Sequence, residues 1–232
     1  MTAKAGYSTP MLRVADAGNA EHPRGPLPQL SLFQDSESVL VDDATGRIAY
    51  TPRFVGGAAA ESWFAELREA VPWKAERRRM YDREVDVPRL TAHFPLGPGA
   101  VAPPDAIRHT ADYVIGKTGV AFNSVGLNLY RDGRDSVAAH NDHLDVLLEG
   151  FPIALLSLGG TRRMTIRAKE PPRRALHLDL EPGSLLMMSY ATQLHYTHGI
   201  PKTTDPVGPR MSLVFRVKPA RTGTGEDVTG FY

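Results

Sequence analysis

Ser124-Val-Gly-Leu-Asn-Leu-Tyr130 opens a series of short alternating runs broken by turn residues, and that change of pattern decides the fold class. Side chains along a strand point to opposite faces with a period of two, so a half-buried strand reads as alternation. After Ser124 the pattern recurs at 153–158, 162–168, 175–180, 184–189, 194–199 and 210–218. Asp132-Gly133, Gly159-Gly160, Pro171-Pro172 and Glu181-Pro182-Gly183 mark the turns between them. Seven short strands at this spacing predict a sandwich, a barrel or a jelly roll.

Upstream of Ser124 the spacing is helical. Over 58–71, Phe64, Leu67 and Val71 share one stripe, and Pro72 stops the helix. A second helix is predicted to start at Pro103-Pro104, where proline suits the first turn. It runs through Ile107, Ala111, Val114 and Ile115 to Gly119. Helices first and strands later predict one mostly β (α+β) domain buttressed by N-terminal helices. The expected organisation is a flexible tail over 1–28, supporting helices over 29–122, a β core over 123–219 and a C-terminal tail over 220–232.

Composition narrows the chemistry. The 232 residues carry a formal net charge of +1 and include no cysteine. Disulfides, thiolate nucleophiles, cysteine zinc sites and iron–sulfur clusters are therefore excluded, and any metal must be held by His, Asp or Glu. Met1 to Leu30 has no charged-then-apolar signal pattern. The most apolar run, Phe151 to Leu158, falls short of the roughly 20 residues that a membrane helix needs. The expectation is a soluble, cytoplasmic monomer with no membrane partner. Near-neutrality offers no bulk attraction for nucleic acid, but two stretches are locally basic. Thr161–Arg174 has six cations and one anion, and Lys74–Arg79 contains Arg77-Arg78-Arg79. Such patches suit phosphates.

Candidate metal ligands follow from the same period of two. His-x-Asp at a strand end puts both side chains on one face, within reach of one ion. The chain has three such pairs: His140/Asp142, His143/Asp145 and His177/Asp179. The last alternates with Leu176, Leu178 and Leu180 and reads as the solvated face of a strand. His195 and His198, three apart, point to opposite faces, so one of them at most joins the site. Two imidazoles and a carboxylate suit a ferrous ion and leave positions open. Arg210, Ser212, Val214 and Arg216 share one face of a predicted strand. An inward arginine must be paired, and the planar guanidinium suits a bound carboxylate.

These residues resemble the AlkB family of 2-oxoglutarate/Fe(II) dioxygenases over about 85–218. The resemblance rests on Phe122–Asp135, His140-Asn-Asp142, Glu181–Met188, His195–Pro201 and Arg210-(x5)-Arg216 in this order. It implies a double-stranded β-helix, a jelly-roll variant, with a substrate lid in the 29–122 region. The family spacing selects His140, Asp142 and His198 for iron. It places Asn128, Tyr130, Arg210, Ser212 and Arg216 at the cosubstrate. The implied cofactors are Fe(II), 2-oxoglutarate and O2, and the implied partner is alkylated nucleic acid, whose bases would be oxidatively dealkylated. A duplex base would have to be flipped out. Substrate contacts are expected from Arg89, His93, Phe94, His143, Asp145, Arg162 and Arg163.

The chain departs from the family around the substrate. His143-Leu144 follows the His-x-Asp pair where nucleobase-repairing members often carry acids, and Asp145 comes one place later. His93-Phe94 stands where an aromatic-Tyr-Gly-Asp segment is common. Two other readings follow: the same chemistry on a protein side chain or small molecule, and a metal-binding jelly-roll module without turnover.

Overall fold

A computed structural model describes residues 36–80 and 82–219, so the expected tails at 1–28 and 220–232 lie outside the described residues. In chain order the strands are β1 (Ser38–Asp43), β2 (Gly46–Thr51), β3 (Lys74–Met80), β4 (Arg83–Pro95), β5 (Ser124–Tyr130) and β6 (Val137–His140). They continue with β7 (Ile153–Gly159), β8 (Arg162–Ala168), β9 (Ala175–Leu180), β10 (Leu185–Met188), β11 (Tyr196–Ile200) and β12 (Arg210–Arg216). The helices are α1 (Gly57–Ala70), α2 (Asp105–Thr118) and the single turn α3 (Thr192–His195).

All pairings are antiparallel. One sheet has the order β1-β2-β10-β7-β12-β5-β4-β3, and a smaller one has the order β6-β11-β8-β9. Strand β12 lies between β7 and β5 and is buried along its whole length. Met211, Leu213 and Phe215 join the cluster that packs against α1 and α2, with Leu67, Ile107 and Val114. Val214 joins the second cluster, with Ile48, Leu155, Met164, Ile166 and Ile200 drawn from both sheets. The large sheet is thus covered on one face by helices and on the other by the small sheet, a jelly-roll arrangement. The functional residues sit between the sheets.

Both predicted helices form within a residue or two of expectation. Val71 leaves α1 in an extended conformation, as the residue before a proline must. Gly119 closes α2 at φ 69°, a left-handed cap that a side chain disfavours. The N-terminal region, expected as helices and a substrate lid, also contributes four strands. Charged runs such as Lys74–Arg79 hide the alternation, and pairing of β4 to β5 and of β2 to β10 makes strands of the region. Two boundaries shift as well. The predicted strand at 194–199 begins two residues late, at Tyr196, because Thr192–His195 is helical. The strand end expected at His140 belongs to β6, whose four residues Val137–His140 are too few to show an alternating run.

The β5–β6 connection is held by charge. Asp135, almost fully buried, accepts from the Arg131 backbone N–H at 2.9 Å and from its Nε and NH2 at 2.8 and 2.9 Å. Burial opposes its ionisation, but these bonds prevail and lower its pKa. The carboxylate therefore stabilises the fold above the unfolded pKa of about 3.9, and that contribution disappears as the pH falls through the folded value. Asp135→Asn should cost about 1–3 kcal/mol at pH 7, with the gap narrowing in urea titrations as the pH falls below the ordinary carboxylate range.

Candidate active site

The small sheet sets His140 directly opposite His198, across β6 and β11. Their ring centroids are 4.5 Å apart. Asp142 follows β6 by two residues and turns inward. One ligand atom from each of His140, Asp142 and His198 lies within 4.8 Å of the others. His143 and His195 stay outside this cluster, and His143 is half exposed, 3.9 Å from Asp145. His177 and Asp179 also lie apart from it, where Asp179 pairs with Arg163.

Neighbours hold His140 and Asp142 in place. His140 Nδ1 lies 2.8 Å from the Ala138 carbonyl, so it carries the proton and Nε2 keeps its lone pair. The Asp142 backbone N–H donates to Gln193 Oε1 at 2.9 Å, and Gln193 Nε2 donates to Thr192 Oγ1 at 3.1 Å. Arg216 Nε donates to Asp142 Oδ2 at 2.6 Å. Burial favours the neutral acid at Asp142, but the Arg216 guanidinium and the two imidazoles outweigh it and bring the carboxyl to about 2. Burial, then the adjacent His140, lowers His198 to about 4, and burial lowers His140 too. Near neutral pH the set is one anion and two neutral imidazoles, the donor state that a divalent cation requires.

Beside the cluster, Arg210 is fully buried. Its Nε donates to Ser157 Oγ at 3.0 Å, and its guanidinium lies 5.2 Å from the Tyr130 ring centroid. Both terminal nitrogens are buried without a hydrogen-bond partner among the described residues. Burial pulls its pKa down to about 10, so it stays charged at neutral pH. A buried cation with two orphaned nitrogens is costly unless an anion completes it, and the planar fork suits a carboxylate. The cavity at this point is lined by Asn128, Tyr130, His140, His198, Arg210, Ser212 and Arg216, with Leu155, Met164 and Val214 among its apolar walls. Asn128 Oδ1 accepts from Arg89 Nε at 2.7 Å, which leaves the amide NH2 as its donor to a ligand. An open-sided His-Asp-His set next to an orphaned arginine fork fits a ferrous ion and a small dicarboxylate.

Several residues expected at the substrate are placed elsewhere. Phe94 packs into the helix-side core, because on β4 it alternates with His93 and faces away from the cavity. Arg89 is buried and committed to Asn128 and to the Ser136 carbonyl. Arg162 is also buried, donating to the carbonyls of Asp132 and Asp135 at 2.9 Å and of Pro201 at 2.7 Å. It ties two loops together and does not reach outward. Arg163 is exposed but salt-bridged to Asp179. In the other basic stretch, Arg77 pairs with Asp86 at 2.8 Å. His93 remains exposed on the cavity-side face of β4, with Lys218 Nζ 3.4 Å from its Nε2. Ser157, Gln193 and the role of Arg89 escape a sequence reading. A serine in the apolar run Ile153–Gly159 was the one visible signal.

Arg162→Met keeps bulk but leaves three carbonyls short of a donor. It should lower stability by about 3 kcal/mol, read from the urea midpoint.

Comparison with known proteins gives the same picture. Residues 97–216 match the 2OG-Fe(II) oxygenase superfamily. The human DNA oxidative demethylase ALKBH2 is 33% identical over 190 residues, covering 72% of this chain and 72% of that protein. The alpha-ketoglutarate-dependent dioxygenase alkB homolog 3 of Bos taurus is 34% identical over 187 residues, covering 73% of this chain and 65% of its own length. The solved structure of OsALKBH1 superposes with a TM-score of 0.52 at 14% identity, over 73% of this chain and 97% of that one. That last likeness speaks for the fold. The chain belongs to the 2OG-Fe(II) oxygenase superfamily, in its AlkB-like branch, and is a dioxygenase that uses Fe(II), 2-oxoglutarate and O2.

Proposed function

We propose that this dioxygenase removes alkyl groups oxidatively from N-alkylated bases of DNA or RNA. The observation that carries the proposal is the cluster of His140, Asp142 and His198 beside the orphaned fork of Arg210. The two curated relatives described above, one of them a DNA oxidative demethylase, support the choice of substrate. Iron held there, with 2-oxoglutarate and O2, would supply the oxidant for hydroxylating an N-alkyl carbon, so that the alkyl group could leave as an aldehyde.

In this reading the chain's own residues divide the work. His140, Asp142 and His198 hold the metal, and Arg216 keeps the Asp142 carboxylate ionised and aimed. Arg210 takes the distal carboxylate of the cosubstrate, with Asn128, Tyr130 and Ser212 lining its path. The apolar walls from Leu155, Met164 and Val214 exclude water around the charges. Of the residues expected at the base, His93 with Lys218, and His143 with Asp145, are the groups left on the outer side. Among the described residues no helix is long and apolar enough to cross a membrane. We place the protein in the cytoplasm, in keeping with its cysteine-free composition, and read it as a monomer.

Aerobic incubation with Fe(II), 2-oxoglutarate and methylated oligonucleotides tests the proposal. The expected result is demethylated base with substrate-stimulated succinate. Neither product would remove the nucleic-acid substrate. One observation favours a second reading, the same oxidation of a protein side chain or small molecule. Phe94 and Arg162 are turned away from the substrate, and Arg163 and Arg77 are paired with acids. The two readings separate on binding: a nucleic-acid enzyme should hold oligonucleotides with an affinity that falls steeply with salt.

A further inference from the structure

The Glu181-Pro-Gly-Ser184 turn stands out in the sequence, yet it contributes no residue to the cavity lining. Its contacts lead to Ser157. Gly183 N–H donates to the Ser157 carbonyl at 2.7 Å, and Ser157 N–H donates to the Ser184 carbonyl at 2.9 Å. Gly183 has φ +77°, and a Cβ there would come within 2.3 Å of the Val55 carbonyl oxygen, so the turn admits no other residue without shifting. The Ser157 hydroxyl points at the Leu180 carbonyl, 3.4 Å away, just before the turn.

Ser157 is fully buried and does not line the cavity. A hydroxyl has one proton and two lone pairs. With the proton directed to Leu180, a lone pair is left for Arg210 Nε at 3.0 Å. That bond fixes the rotation of the guanidinium about its long axis. The two terminal nitrogens are then left together, buried and unpartnered, as a fork for one carboxylate. Without it the guanidinium could satisfy itself by rotating, and the fork would no longer be set before the ligand arrives.

We propose that Ser157, anchored by the Glu181–Ser184 turn, is a positioning residue that sets the Arg210 fork for the distal carboxylate of 2-oxoglutarate. The proposal rests on the reading of Arg210 as the cosubstrate clamp. Its signature is selectivity between keto acids: an acid lacking the distal carboxylate has nothing to lose when the fork is misaligned.

The test is equilibrium binding to the full chain loaded with redox-inert Mn(II), using 2-oxoglutarate and 2-oxobutanoate as probes. Ser157→Ala should weaken 2-oxoglutarate about ten-fold, the scale of a lost hydrogen bond to a charged group. It should leave 2-oxobutanoate within about two-fold. Ser157→Cys keeps the volume but offers a weak acceptor, and it should give the same split, so the test does not hang on one variant. In an Arg210→Met background, Ser157→Ala should add nothing. Unchanged 2-oxoglutarate affinity in both variants, or equal weakening of the two acids, would overturn the positioning role. A parent protein that binds 2-oxobutanoate and 2-oxoglutarate equally would instead overturn the Arg210 reading itself.

Discussion

Asp142→Ala should yield a folded protein that no longer retains iron after dialysis and has no measurable turnover. Loss of an outer partner of a metal ligand typically costs 10–100-fold in affinity, and loss of the one anionic ligand should exceed that. The physical case is the arrangement around the carboxylate. Arg216 donates at 2.6 Å, Gln193 holds the backbone, and the carboxyl is kept near 2, so it presents a full negative charge to the cation. His140→Ala should behave alike. His143→Ala is the control: its side chain is half exposed and outside the cluster, so iron content by atomic emission should match the parent. Iron lost from His143→Ala but kept by His140→Ala would mean that the site lies three residues further along.

The second large effect separates function from stability. Arg210→Met should raise the KM for 2-oxoglutarate by about 100- to 1,000-fold, as expected when one partner of a buried charged pair costs 2–5 kcal/mol. The same change should leave the urea midpoint of the ligand-free protein unchanged or raised. Its two orphaned nitrogens contribute nothing to the ligand-free fold, and replacing a buried charge by an apolar group of similar volume is often neutral or stabilising. A large fall in stability would show that Arg210 is a structural group first. The expected pattern is that of a site kept costly for the sake of its ligand.

Legibility varied with the kind of signal each residue leaves. Strands β5, β7, β8, β9 and β12 were visible because each alternates or runs apolar between turn residues. Strands β3 and β4 were not, since charges break the alternation of β3 at the exposed sheet edge, and only the pairing of β4 with β5 and of β3 with β4 defines them. His140 and Asp142 were readable as a pair through the period of two, but the choice over His143 and Asp145 came from the family spacing. Phe94 was misplaced by one step of alternation, which sends a side chain to the opposite face of a sheet. Arg162 looked like a surface cation because sequence carries no trace of the three carbonyls that hold it.

By itself, then, the chain's residue order determined which side chains share a face. Strand periodicity is local, and it put Arg210, Ser212 and Arg216 on one side and His140 with Asp142 on another. Only the tertiary structure decided that these faces meet. Cross-strand registry brought His198 opposite His140, and stacking of the two sheets buried Arg210 with its fork unfilled. Registry and burial depend on partners dozens of residues away, and so does the ionisation of Asp142 by Arg216. No local pattern records such distances.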